Sequence, residues 1–183
     1  MTREDWLFDD GRRAVASERL YAAAADLIER HGFDAFSIDE LAARVHCSRA
    51  TIYRYVGGKA QIRDAVLARS AARIVDVVRT SVDELTGAER VLTAIEVAVA
   101  QIRSDPAGQL FVDSLRGARG GTWLTESPAV TDFANELTGL ADDPRAAKWI
   151  VRLVLSLLFW PDTDAHSERM MLQRYVAPAF AVS

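Results

Sequence analysis

Between Arg49 and Lys59 the sequence RATIYRYVGGK gathers three cations and two phenols within eleven residues. Read as a helix, Ile52 and Val56 fall one turn apart on a single side, and Arg49, Ala50, Tyr53 and Arg54 point elsewhere. The outward types share one chemistry. An arginine donates two hydrogen bonds to guanine, a methyl of Ala or Thr meets the thymine methyl, and a tyrosine hydroxyl serves a phosphate. Lys59 stands in the first turn of whatever helix follows. The helix dipole disfavours a cation there, unless a phosphate lies between them.

Other reactive types do not assemble. His31, His46 and His166 lack metal-ligand spacing, and a lone cysteine, Cys47, makes no zinc cluster. The adjacent His46 and Cys47 are no nucleophile and base, because neighbours in sequence rarely converge. VGGKA at 56–60 lacks the G-x-x-x-x-G-K-[ST] frame and a preceding strand, so it is not a phosphate loop. Asp142 and Asp143 precede Pro144 and read as a helix start. No catalytic constellation, metal site or cofactor is expected.

The elements that must position the basic cluster are helices. Residues 17–31 put Leu20, Ala24, Leu27, Ile28 and His31 on one stripe, and Gly32 ends the run. Ser37 and Glu40 form an S-x-x-E capping box with Phe36 and Leu41 as its hydrophobic staple, starting a short helix that buries Ile38, Leu41, Ala42 and Val45. Ser48 caps a second short helix reaching about Tyr55, which Gly57 and Gly58 terminate. A long helix then runs from Lys59 towards Glu84. Further starts are Thr86 with Glu89, Asp105-Pro106, Ser127-Pro128 and Asp143-Pro144. GARGGTW at 117–123 reads as a loop. No stretch alternates as a strand would, so the chain is expected to be all-α. A helix followed by two short helices and a tight turn is a helix-turn-helix, whose second short helix enters the DNA major groove.

Charge is distributed accordingly. The chain of 183 residues carries a net −4, but residues 41–80 hold eight basic and two acidic residues, a net of +6. Residues 81–183 hold nine basic and fourteen acidic residues, a net of −5. The asymmetry suggests one segment that meets an anionic partner, although a solvated helix face would also be basic. One cysteine permits no internal disulfide and suits a reducing compartment. The acidic start MTREDWLFDD does not read as a signal peptide, and WIVRLVLSLLFW at 149–160 is too short to span a bilayer. A soluble cytoplasmic protein is expected.

Over roughly residues 15–62 the pattern A-x-D-L-I, G-F, S-I-D-E-L-A, then S-R-A-T-I-Y-R-Y-V and a lysine three residues on, resembles the tetracycline-repressor (TetR) family of bacterial transcriptional regulators. The resemblance implies that Ser37 touches a phosphate and that Arg49, Ala50 and Tyr53 face bases. It implies that Thr51, Arg54, Tyr55 and Lys59 hold the DNA backbone. Two positions depart from the family: His46 stands where glycine is frequent, and Val56 replaces a usual phenylalanine.

The resemblance also implies two domains: an N-terminal helix-turn-helix domain at 1–60, with an arm at 1–14, and a helical ligand-binding and dimerisation domain at 61–183. The segment WIVRLVLSLLFW is apolar nearly all round except Arg152 and Ser156, as a helix buried on more than one side would be. SERMMLQRYVAPAF adds Met170, Met171, Tyr175 and Val176. A twofold homodimer through 144–160 and 167–181 is therefore expected, reading a palindromic operator with half-sites about one helical turn apart. Candidate lining for a small hydrophobic or aromatic effector is Val99, Ile102, Phe111, Leu115, Trp123, Phe133, Trp149 and Leu153, residues that a plain core would also use. The function expected is a ligand-responsive regulator, most readily a repressor. The alternatives are a helical dimer whose basic head meets another protein, and a small helical enzyme, for which no acid-base pair is found.

Overall fold

The computed structural model describes residues 5–116, 128–140 and 143–181. Among them every regular element is a helix: α1 Asp5–Ala35, α2 Ile38–Arg44, α3 Arg49–Val56, α4 Lys59–Val82, α5 Gly87–Ser104, α6 Pro106–Arg116, α7 Pro128–Thr138, α8 Pro144–Phe159, α9 Ala165–Tyr175 and α10 Ala177–Phe180. The all-α expectation is met. The chain forms two compact units, residues 1–70 and 71–183, and the boundary falls inside α4.

In the first unit α1, α2 and α3 pack pairwise. Leu20, Ala24, Leu27 and Ile28 of α1 are buried, as are Phe36, Ile38, Leu41, Ile52, Val56, Ile62 and Val66. Fully burying one such aliphatic side chain stabilises by about 1.5–3 kcal/mol, so two-turn helices are held by packing and not by propensity. The first helix begins at Asp5, well before the start at residue 17 read from the sequence, and is interrupted at Gly32 (φ 77°, ψ 163°). His31, placed on the inward stripe by periodicity, is exposed: it lies just before the interruption, with its Nε2 3.7 Å from a Glu40 carboxylate oxygen. Ala42 and Val45 are only half-buried.

In the second unit α5 is the central element, contacting α6, α7, α8, α9 and α10. Its Val91, Ile95 and Val99 meet Val112, Ile150, Leu157, Leu158, Leu172 and Val176 in one core cluster. A smaller cluster joins Val78 and Val82 of α4 to Ala94. Val176, expected on a contact surface, is core. Asp143 caps α8 by accepting from the amides of Arg145 and Ala146 at 3.0 and 3.1 Å. Asp105 accepts from the Ala107 amide at 3.1 Å at the start of α6. Thr86 precedes α5 as expected but its side chain makes no capping bond; Gly87, with φ 56°, turns the first residue out of helical geometry. Ser127 and the 117–123 segment lie outside the described residues.

One arginine fastens two helix ends. Arg90 donates to the carbonyls of Val82, the last residue of α4, and of Leu85 just beyond it, and to those of Glu136 and Leu137 at the end of α7, at 2.9–3.3 Å. A cation is well placed among C-terminal carbonyls, which are otherwise without partners and carry the negative end of the dipole.

Candidate nucleic-acid interface

Two serines set the geometry of the helix-turn-helix. Ser37 accepts from the Glu40 amide at 3.1 Å and starts α2, and Ser48 accepts from the Thr51 amide at 3.2 Å and starts α3. The Ser48 and Thr51 hydroxyls also meet at 2.9 Å. Between the helices the chain stays tight, with the Cys47 amide donating to the Ala42 carbonyl at 3.1 Å. His46 takes φ 52°, the left-handed conformation that explains why glycine is the frequent residue of related turns. Cys47 is half-buried, and its thiol lies 3.6 Å from the Ser48 carbonyl oxygen.

Burial of Ile52 and Val56 fixes which face of α3 is outward. Arg49, Ala50, Tyr53 and Arg54 are exposed, Tyr53 by 51%, and Thr51 and Tyr55 are half-buried. The C-terminus of α3 is clasped from α1. Arg13 donates to the Arg54 carbonyl at 3.3 Å, and the Ser17 hydroxyl donates to the Tyr55 carbonyl at 3.2 Å. Gly57 closes the helix at φ 77°, a conformation glycine takes without the usual steric cost. Arg54 lies over the Tyr55 ring at 5.1 Å, and Arg13 approaches the same ring at 6.0 Å.

The cations do not stand equally bare. Arg49 pairs with Asp39 at 3.1 Å, Arg63 with Asp64 and Arg69 with Glu18, and Arg44 bonds Asp26. In the second unit Arg73 pairs with Asp105 and Arg79 with Asp76 and Glu136. Carboxylates from outside 41–80 thus offset part of the +6 counted along the chain. Lys59 instead donates to the Asp34 carbonyl at 3.3 Å and lies 4.8 Å above the Phe33 ring, and Arg63 approaches that ring at 6.0 Å. Sequence reading did not find Asp39, Arg13 or Ser17, because each acts on a residue ten or more positions away.

The residues expected to line an effector pocket scatter. Val99 and Leu115 are buried, Ile102 and Leu153 pack against the core, and Phe133 and Trp149 are exposed by 45% and 42%. The Phe111 side chain and Trp123 lie outside the described residues. A cavity of about 600 Å³ lies elsewhere in the second unit. Its walls include Leu85, Thr86, Arg90, Leu140, Asp143 and Phe180, and none of the six candidates whose side chains are described lines it. Among the described residues no helix is long and apolar enough to cross a membrane.

Residues 20–66 match the family model of bacterial regulatory proteins, tetR family. An HTH-type transcriptional regulator of Mycobacterium tuberculosis is 31% identical over 185 residues, covering 97% of this chain and 91% of that protein. A second from the same organism, the HTH-type transcriptional regulator AlkX, is 26% identical over 188 residues, covering 93% and 88%. Among solved structures, the TetR-family repressor AlkX of Dietzia sp. strain DQ12-45-1b, implicated in biodegradation of n-alkanes, superposes with a TM-score of 0.57. That match has 20% identity and covers 87% of this chain and 92% of the other. A capped recognition helix on a three-helix head and a relative alike over nearly its whole length lead to one conclusion: this chain belongs to the TetR family of bacterial transcriptional regulators, DNA-binding proteins and not enzymes.

Proposed function

We propose that the protein is a homodimeric repressor that reads a palindromic operator through α3 and leaves it when a small hydrophobic effector binds. The observation that carries the reading is the split face of α3. Ile52 and Val56 are buried while Arg49, Ala50 and Tyr53 stand exposed. In this reading those three residues face bases, and Ser37, Thr51, Arg54, Tyr55 and Lys59 hold phosphates. The half-buried Thr51 and Tyr55 and the tethered Lys59 suit backbone contacts, which need position more than reach.

Dimerisation is supported by the apolar side chains a single chain leaves uncovered. Trp149 on α8, with Met170, Met171 and Tyr175 on α9, are exposed, Tyr175 by 75%. Two heads related by a twofold axis would read half-sites roughly 34–36 Å apart. An effector that favours a different head spacing releases DNA by as much as its affinity differs between the two states. A small effector is supported by a cavity of about 600 Å³, a volume that suits a small ligand.

The test is fluorescence anisotropy of the purified protein on its own upstream DNA across a salt series, against a scrambled duplex. Tight, selective binding of two subunits per site is expected. Weak binding equal on both duplexes, with no sequence enriched from a random pool, would overturn the reading.

A further inference from the structure

Arg49 is the first residue of α3, where the helix dipole repels a cation and where α3 has no acidic residue of its own in the first turn. It is held by a carboxylate from another helix. Nη1 of Arg49 lies 3.1 Å from a carboxylate oxygen of Asp39, in the first turn of α2, an ion pair between the two helices. Both side chains are open to solvent, 61% exposed for Arg49 and 68% for Asp39. Such a pair contributes little to folding.

Its geometry, however, is informative for recognition. Arginine carries five N–H donors in a planar fork. The Asp39 carboxylate stands at Nη1, and the edge formed by Nε and Nη2 is a separate edge of the planar fork. Two donors side by side on one edge are what the O6 and N7 acceptors of guanine require. A flexible arginine must surrender much rotamer freedom to make that contact. One already held at a single nitrogen has surrendered part of it.

We propose that Asp39 is a positioning residue for base readout: it orients Arg49 so that the Nε–Nη2 edge faces guanine, and it stays paired when the operator is bound. The inference rests on Arg49 being a base reader. Asp39 also carries negative charge close to the DNA-facing helix, so it disfavours contacts to phosphate alone. Both effects widen the gap between operator and unrelated DNA.

The experiment compares the full-length protein with Asp39→Ala, Asp39→Asn, Arg49→Ala and the double variant Asp39→Ala/Arg49→Ala. Each is titrated by anisotropy against the best duplex from a random-sequence selection and against its scrambled counterpart. Thermal unfolding monitors the fold. Asp39→Ala should weaken operator binding about threefold to tenfold, the cost of one newly immobilised long side chain, and leave scrambled DNA unchanged or bound more tightly. Discrimination should fall at the base that Arg49 reads. Asp39→Asn, which keeps an acceptor in place, should retain part of it. In the Arg49→Ala background the Asp39 change should lose its effect on discrimination.

Equal tightening on both duplexes would reduce Asp39 to a charge that repels phosphates, and equal weakening with a lower melting temperature would reduce it to a support of α2. An undiminished effect in the Arg49→Ala background would show that it acts through another residue. Each of these outcomes overturns the proposal while the regulator reading stands. If Arg49→Ala itself leaves discrimination intact, the base-reading role of Arg49 fails first and takes the proposal with it.

Discussion

Arg49 and Lys59 are both cations near the recognition helix, but the structure gives them different surroundings. Arg49 is exposed at the head of α3 and ion-paired with Asp39, whereas Lys59 leans on a carbonyl and an aromatic ring. Arg49→Ala should therefore cost about 1–3 kcal/mol of operator binding and relax preference at one base position. Lys59→Ala should weaken all sequences alike and reduce the slope of log affinity against log salt by about one. Anisotropy on matched and mismatched duplexes separates the two, and identical behaviour of both variants would contradict the division. At this scale the sequence was legible where the contact is local. Ser37, Ser48 and Asp143 act on amides two or three residues away, so type and spacing suffice. The ion pair of Arg49 with Asp39 joins separate helices, and no spacing rule announces it.

Among the elements, α5 and α6 come close at the turn that joins them. A Cβ at Gly108 would stand 2.5 Å from the Ile102 carbonyl oxygen, which is backbone and does not move aside. Gly108→Ala should force the helices apart and cost about 1–3 kcal/mol, as overpacking does, read as a fall in the denaturation midpoint at unchanged slope. Helix existence and order were legible because apolar periodicity and proline starts are strong signals. Three details were not. Periodicity put His31 on the inward stripe, but as the last residue before the break at Gly32 it is exposed. Thr86 with Glu89 spelled a cap, but Gly87 at φ 56° spoils the geometry that a capping hydroxyl needs. Val176 looked like surface because its burial depends on α5 and α8, distant in sequence.

On the scale of the whole molecule, a buried ion pair contributes to acid stability. Glu168, 6% exposed, accepts from Nη1 and Nη2 of Arg103 at 2.8 and 2.7 Å and from the Asp162 amide at 3.1 Å. Arg103 also donates to the Leu157 carbonyl, so the pair joins α5, α8 and α9. Its hydrogen bonds to Arg103 are the main reason that the Glu168 carboxyl lies below its ordinary value near 4.5. A depressed carboxylate contributes stability that is fully present above the ordinary value and is lost as pH falls through the folded one. Wild-type stability should therefore decline with acidification below about pH 4.5, and Glu168→Gln should flatten that decline. At neutral pH the same variant should lose about 2–3 kcal/mol by leaving Arg103 without its carboxylate, measured by urea unfolding across pH. Association belongs to this scale as well. Trp149→Glu sets a charge on the exposed apolar face of α8 and should shift the protein towards monomer in sedimentation at micromolar concentration, weakening operator binding in step. An unchanged dimer would place the subunit contact elsewhere.

Cys47 is the single thiol of the chain, and it is half-buried in the turn that delivers α3. Its reaction with a maleimide therefore yields one product at one place, with no residue engineered in or removed. DNA lying along α3 should shield that turn, so the alkylation rate becomes a clock for operator occupancy. Adding a compound and watching the rate recover would then identify effectors chemically, with no label on the DNA.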